Sequence, residues 1–510
     1  MKRVPGTLAT VACSLTLAAC GHGNDDNDMP SEPATPPPRG SLIESPPERT
    51  ASLAPEQIAA LLTNAEGGQQ LLDLIVDPKC GIDIHHVEYN TVDPTGAATT
   101  ASAAMFIPTG ADPVCQGPRP IVLYAHGTAA QRSLNLADTS SEDNLEGLLA
   151  ATMFTTQGYI LIAPNYTGYD TSTLTYNPYL NADQESKDMI DALTASRSAL
   201  PTSFAPTVTD SGKLFVTGYS QGGHVAMATH KALQDAGETI TASAPMSGPY
   251  AVAAFADAVF FGQVTRNTPL FLVFTATGYE KAYGDVYTSV TDLIEARYAS
   301  GIESLLPSTI PRSQLFSEGK LPRDQLFDST PPDPSFAAFT PATSPANLAP
   351  IFAAGFGPDH LVTNAFRLAY LQDAQANPDG SFPTALDNRP AANPQNGLRR
   401  AFARNDLRSW VPTAPVFLCG GADDPTVLFS NTQMIRAYWA ANGATSNVSV
   451  LDLESDITSG DPDAARKAAF QLAKAAIKSD GGDAGLAESY HSTLVPPFCL
   501  SAVKSRFDSM

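Results

Sequence analysis

The sequence predicts an α/β protein in which a mostly parallel sheet, flanked by helices, carries an inserted, mainly helical cap domain. Three observations lead there. Short apolar runs alternate with segments of helical period in two separate stretches of the chain. Those runs are apolar throughout instead of alternating, as expected of strands covered on both faces. Between the two stretches lie about 160 residues in which the alternation stops, far beyond an ordinary connection.

The elements follow in order. Residues 84–92 and 99–107 read as strands. The run 120–125 (Pro-Ile-Val-Leu-Tyr-Ala) is a short buried strand that ends in His126-Gly127-Thr128. A helical period covers 144–156, and 159–163 is another buried strand. A helix opens at Asn181 with Gln184 three residues on, a capping-box pattern. Strand 213–217, helix 224–236 and strand 240–244 come next. After the interruption, strand 415–418, helix 428–441, strand 448–453 and helix 464–477 complete the set. The interrupting stretch holds helical pieces at 288–298, 347–356 and 364–376 among Pro-rich connections. Its apolar runs, 259–261 and 270–274, either line a substrate cleft or form the insertion's own core, the commoner fate of such runs.

The organisation read from the sequence is a signal peptide over 1–19, a disordered tether over 20–50, a first core part over 51–248, the insertion over 249–408 and a second core part over 409–510. Lys2 and Arg3 precede an apolar run too short to span a bilayer, the pattern of a secretory signal. It ends Leu17-Ala18-Ala19-Cys20, which resembles a bacterial lipoprotein lipobox and implies cleavage before Cys20 and lipidation of its sulfur. Gly21 after it points to outer-membrane sorting. Residues 21–50 are rich in Pro, Asp, Glu, Ser and Gly and poor in large apolar side chains, hence the tether. The net charge is −22, and −24 once Lys2 and Arg3 leave with the signal; that makes nucleic acid an unsuitable partner. Four cysteines remain for an oxidising compartment: Cys80, Cys115, Cys419 and Cys499.

The chemistry centres on Gly218-Tyr219-Ser220-Gln221-Gly222-Gly223, where a strand gives way to a helix. A serine on such a turn is presented in strained geometry, and flanking glycines are needed where strand and helix approach closely. Serine needs a base, and the base an orienting acid. Among the histidines, His22 lies in the tether. His85 and His86 point to opposite faces of a strand. His126 belongs to a turn that it fixes, His224 and His230 ride the helix beyond the serine, and His360 is in the insertion. His491 remains, in a Gly-rich loop after the last sheet helix. The acid should follow a strand between the two; Asp424 in Cys419-Gly-Gly-Ala-Asp-Asp424-Pro fits, with Asp423 its rival. A hydrogen bond between Asp424 and His491 would bring Cys419 and Cys499 within bridging reach, leaving Cys80 to pair with Cys115. Two backbone N–H groups would stabilise an oxyanion: that of Gln221, and that of Thr128 with Gly127 as the alternative. No HExxH, no close ligand cluster and no GxGxxG after a strand is present, so no metal and no cofactor is expected.

Together, Tyr124-Ala-His-Gly-Thr128, Ala163-Pro-Asn165-Tyr-Thr-Gly168, the Ser220 turn, the Asp424 loop and His491 resemble the α/β-hydrolase superfamily, and within it secreted lipase/esterase-like serine hydrolases with a large cap. The resemblance covers most of 80–510. It implies cleavage of carboxylic esters, lipidic or polymeric, by Ser220, His491 and Asp424 through an acyl-enzyme. Asn165 stands where that type of loop usually has Asp. A peptidase of the same fold ranks second, because no acidic pair suited to a substrate α-amine is recognisable. An inactive surface-binding lipoprotein ranks third, because the Ser/His/Asp set is intact.

Overall fold

The computed structural model describes residues 36–64, 77–141, 145–200, 207–444 and 446–510. The expected signal peptide, the Cys20 lipidation site and the tether up to residue 35 lie outside the described residues.

Nine strands form one sheet among the described residues: β1 (Glu48–Leu53), β2 (Gly81–Val92), β3 (Ala98–Thr109), β4 (Gly117–Ala125), β5 (Ile160–Pro164), β6 (Val208–Tyr219), β7 (Ala242–Met246), β8 (Val416–Gly420) and β9 (Val448–Asp452), in the order β1-β2-β3-β5-β4-β6-β7-β8-β9. β1, β2, β3 and β5 pair antiparallel; from β5 through β4 to β9 every pairing is parallel. β5, β7 and β8 are buried at every residue, which is why their sequences carry no polar alternation. The β2–β3 turn is closed by Asp93, whose Oδ1 accepts from Thr95 and Ala97 N–H. Helices Ala182–Ala199 and Gln221–Asp235 pack on each other and on the sheet, and Leu145–Phe154 and Val495–Asp508 form a second such pair.

Residues 247–415 separate the parallel neighbours β7 and β8. They build a hydrophobic cluster of their own around Phe260, Leu272, Phe274, Tyr370 and Phe402. Buried Arg399 and Arg408 tie this stretch together by ion pairs. Arg399 bonds Asp257 (2.8 Å) and Asp373 (2.9 Å), and Arg408 bonds Asp379 (2.6 Å) and Asp406 (2.9 Å) where the chain returns towards β8. Asp406 also accepts from Ala253 N–H at 3.0 Å.

Three expectations need correction. The tether does not extend to residue 50. Gly40 N–H donates to Asn90 O and Ile43 N–H to Glu88 O, Arg39 pairs with Asp191, and β1 begins at Glu48. Composition hides this because an edge segment is held by main-chain pairing, which needs no large apolar side chains. The helical piece at 288–298 is two four-residue turns, Val290–Leu293 and Ala296–Ala299, interrupted where Ile294 bridges to Val362. The helix after Asn181 is capped by Asn181 Oδ1 accepting from Gln184 N–H at 3.1 Å, but Gln184 does not close the box. Its Nε2 donates instead to Val92 O and Asp188 Oδ1.

The disulfides are Cys80–Cys115 and Cys419–Cys499. The second joins β8 to helix Val495–Asp508 across 80 residues of sequence. Replacing both Cys419 and Cys499 by Ala is expected to lower unfolding free energy by about 2–4 kcal/mol, read as a reduced urea midpoint against wild type.

Candidate active site

Parallel strands place their following loops along one edge of the sheet. β4 and β6 are neighbours with Ala125 opposite Gly218, so the loop 126–128 and the turn at Ser220 leave the sheet side by side. β7 and β8 follow, with Met246 opposite Cys419, and the Asp424 loop leaves there.

Ser220 is the N-cap of helix Gln221–Asp235 at φ +59° and ψ −120°, a region non-glycine residues seldom occupy. Its N–H donates to Met246 O at 3.0 Å. The turn closes only because Gly222 has no side chain: a Cβ there would sit 1.9 Å from Ala125 O. At Gly218 a Cβ would sit 2.4 Å from Gly222 O. The strained backbone is thus imposed by packing on both sides.

Ser220 Oγ lies 2.8 Å from His491 Nε2, and His491 Nδ1 lies 2.6 Å from Asp424 Oδ2. Asp424 is 1 % exposed; Ser220 and His491 are 9 % exposed. The chemistry of the partners assigns the protons. A carboxylate accepts, so Nδ1–H donates to Asp424; the bare Nε2 of the neutral ring then accepts from Ser220 Oγ–H. Asp424 Oδ1 accepts from the N–H groups of Thr426 (2.9 Å) and Val427 (3.0 Å). The turn-forming role and the bond to histidine therefore coexist in one carboxylate. Asp423 faces away, bonded to Lys474 Nζ and Asn347 Nδ2. His491 sits not in a loop but in a π-helical turn, Tyr490–Leu494, directly after helix Ala464–Ser489. The Gly481-Gly482 pair that suggested a loop forms a kink inside that helix, with Gly482 at φ +66°.

The other histidines are engaged elsewhere. His86 bonds Asp170 at 2.6 Å, His230 bonds Ser243 Oγ at 2.8 Å, and His360 lies 3.2 Å from Glu295. His126 stacks on Tyr166 at 4.1 Å, its ring between the carbonyls of Gly127 and Asn165. Burial pushes its pKa down to about 4, against the pull of those two carbonyls, so it stays neutral and shapes the turn. Asn165 is a buried node: its Oδ1 accepts from Leu136 N–H and its Nδ2 donates to Ser102 Oγ.

Of the two candidate oxyanion donors, Gln221 N–H belongs to the first turn of its helix, where N–H groups have no acceptor within the helix. For the second, Gly127 is ruled out, because its N–H donates to Glu146 Oε1 (2.9 Å) and Oε2 (3.1 Å). Thr128 remains; its hydroxyl bonds Tyr179 OH at 2.7 Å.

Several neighbours carry no signature in the sequence. Tyr219 OH donates to His491 O at 2.7 Å and fixes the histidine's backbone. Tyr490 OH donates to Glu454, and its ring fills the space left by Gly421. Glu185, wholly buried, accepts from Gln221 Nε2 (2.6 Å) and Leu180 N–H (3.1 Å). Its second oxygen faces His224 Nδ1 at 3.7 Å. Burial raises the Glu185 pKa, with the His224 and Gln221 contacts opposing it. No local pattern marks such residues, because the side-chain partners Gln221 of Glu185 and Glu454 of Tyr490 and the backbone partner of Tyr219 lie 36 or more positions away.

A small apolar cavity of about 70 Å³ lies between helices Val252–Phe260 and Thr268–Tyr283, lined by Phe255, Val259, Phe260, Phe271, Leu272 and Phe402 among others. Val259, Phe260 and Leu272 also belong to the insertion's core, so runs 259–261 and 270–274 contribute both to that core and to the wall of this cavity.

No family model and no curated protein sequence matches the chain. Solved structures do. The rice cell wall degrading esterase LipA from Xanthomonas oryzae aligns with 93% of this chain and 100% of its own, at 23% identity and a TM-score of 0.66. A Legionella pneumophila protein with a provisional hydrolase name aligns with 92% of this chain and 97% of its own, at 17% identity and a TM-score of 0.63. The fold is that of an α/β-hydrolase.

Glu185→Leu would leave two buried donors without an acceptor and is expected to cost about 2–6 kcal/mol of stability. Glu185→Gln keeps an acceptor and should cost less than half as much. Urea unfolding of the two variants checks both values.

Proposed function

We propose that the chain is a serine hydrolase that cleaves carboxylic esters. The observation that carries this reading is the continuous chain of hydrogen bonds from Ser220 Oγ through His491 to Asp424, at the carboxyl edge of the sheet. In this reading Ser220 Oγ attacks the ester carbonyl as His491 Nε2 takes its proton. Asp424 holds the Nδ1–H tautomer and stabilises the imidazolium. The developing oxyanion is met by the N–H groups of Gln221 and Thr128. His491 then passes its proton to the leaving alcohol, and an acyl-Ser220 intermediate forms. Water, deprotonated by His491, attacks that acyl group and releases the acid.

The esterase name of the Xanthomonas oryzae neighbour agrees with an ester as substrate. The 249–408 stretch acts as the cap over this site. The signal-like start, Cys20 and two disulfides support an exported protein held to the cell envelope, at the outer membrane, by a lipid on Cys20.

Ser220→Ala is expected to lower kcat/KM for p-nitrophenyl butyrate by at least about 10⁴-fold, with an unchanged thermal midpoint. A fluorophosphonate probe should label wild type and not the variant. Equal turnover by the two proteins would reject the assignment. An acetyl-to-palmitoyl series on wild type would then define the acyl length.

A further inference from the structure

A protein of net charge −22 gathers three arginines beside this site. Arg266 and Arg323 both pair with Glu488, Arg323 at 2.8 Å. Arg312 acts on the same carboxylate through space, but its side-chain hydrogen bond goes to a neutral group, Asn267 Oδ1, at 2.5 Å. Glu488 and Asp324, beside Arg323, supply two negative charges against three positive ones, so the cluster keeps a net positive charge.

Its position matters. Exposed Arg312 lines a cleft of about 180 Å³ with His126, Gly127, Thr128, Gln131 and Glu146. Its charge reaches the Tyr179 hydroxyl that bonds Thr128. The segment just before it is fixed: Ser308 N–H donates to Ala130 O (2.7 Å), and Arg132 N–H to Ser308 O (2.8 Å). The carboxylate of Glu146, on the same cleft, is turned into the loop, with both oxygens accepting from Gly127 N–H. Glu488 precedes His491 by three residues, at the end of the helix that the π-helical turn of His491 continues. His491 Nε2 must protonate the leaving oxygen, so the alcohol half of the substrate is the half next to His491 and the helix end that carries Glu488.

We propose that Arg312, backed by Arg266 and Arg323, binds a carboxylate on the alcohol half of the substrate, so that the preferred substrates are esters of acidic alcohols or phenols. A guanidinium whose fork is not already closed by a carboxylate is suited to that planar group. This inference rests on the ester-hydrolase reading and deepens it.

The test compares 3-acetoxybenzoate with its neutral methyl ester, measuring kcat/KM for each with wild type, Arg312→Ala, Arg312→Lys and, as a control, Arg297→Ala on an ion pair with Asp359. The expected wild-type ratio favours the anionic ester by about 10-fold or more at low salt, carried by KM, and shrinks in 0.5 M NaCl as screening sets in. Arg312→Ala should abolish the preference, Arg312→Lys should recover part of it, and Arg297→Ala should leave it in place. A wild-type ratio of one or below, or a ratio unmoved by Arg312→Ala, overturns the inference while leaving ester hydrolysis standing. Absence of Ser220-dependent hydrolysis of the neutral methyl ester, and of p-nitrophenyl butyrate, would overturn both.

Discussion

The contact on which the rest depends is the approach of helix Gln221–Asp235 to the end of β4, where Gly222 leaves no room for even one carbon against Ala125 O. That approach forces the chain at Ser220 into a positive φ and so presents its hydroxyl outward instead of along the helix. It also brings the first N–H of the helix and the loop after β4 to the same spot. Relaxing the contact would move the Ser220 hydroxyl, the helix dipole and the Thr128 loop together. The strain at one residue persists because the sheet on one side and the helix on the other over-determine it.

Around this fixed point the site is stiffened by groups that do no chemistry. Tyr219 holds the carbonyl of His491, Glu185 holds the side chain next to the nucleophile, and Asp424 is clamped by two backbone donors before it meets the histidine. The insertion is anchored differently, through fully buried arginines. Desolvating Arg399 and Arg408 is costly, and their carboxylate partners do little more than offset it. The gain is in geometry: Arg408 and Asp406 fix where the chain re-enters the sheet, and Asp406 reaches back to Ala253 at the start of the insertion.

Much of this was legible in the sequence because it is local. The buried strands are runs of apolar residues, and the turn at Ser220 is one motif. His491 stood out by elimination, and Asp424 by its place after a strand. The cysteine pairs followed from the expected closeness of those two residues. What sequence reading missed is long-range. The edge segment before β1 has the composition of a tether yet pairs by its backbone. Glu185, Tyr219 and Glu146 look like ordinary members of helices and strands until the fold brings their partners to them. The glycine pair before His491 suggested a loop because Gly is a poor helix former, and the helix tolerates it by kinking.

The backbone bridge between Ser308 and residues 130–132 has a mechanical corollary. The inserted stretch and the loop after β4 are spliced to each other there, so a displacement of one at this seam is passed to the other. Breaking either main-chain bond would release the segment around Ser308 from residues 130–132, just beyond Thr128.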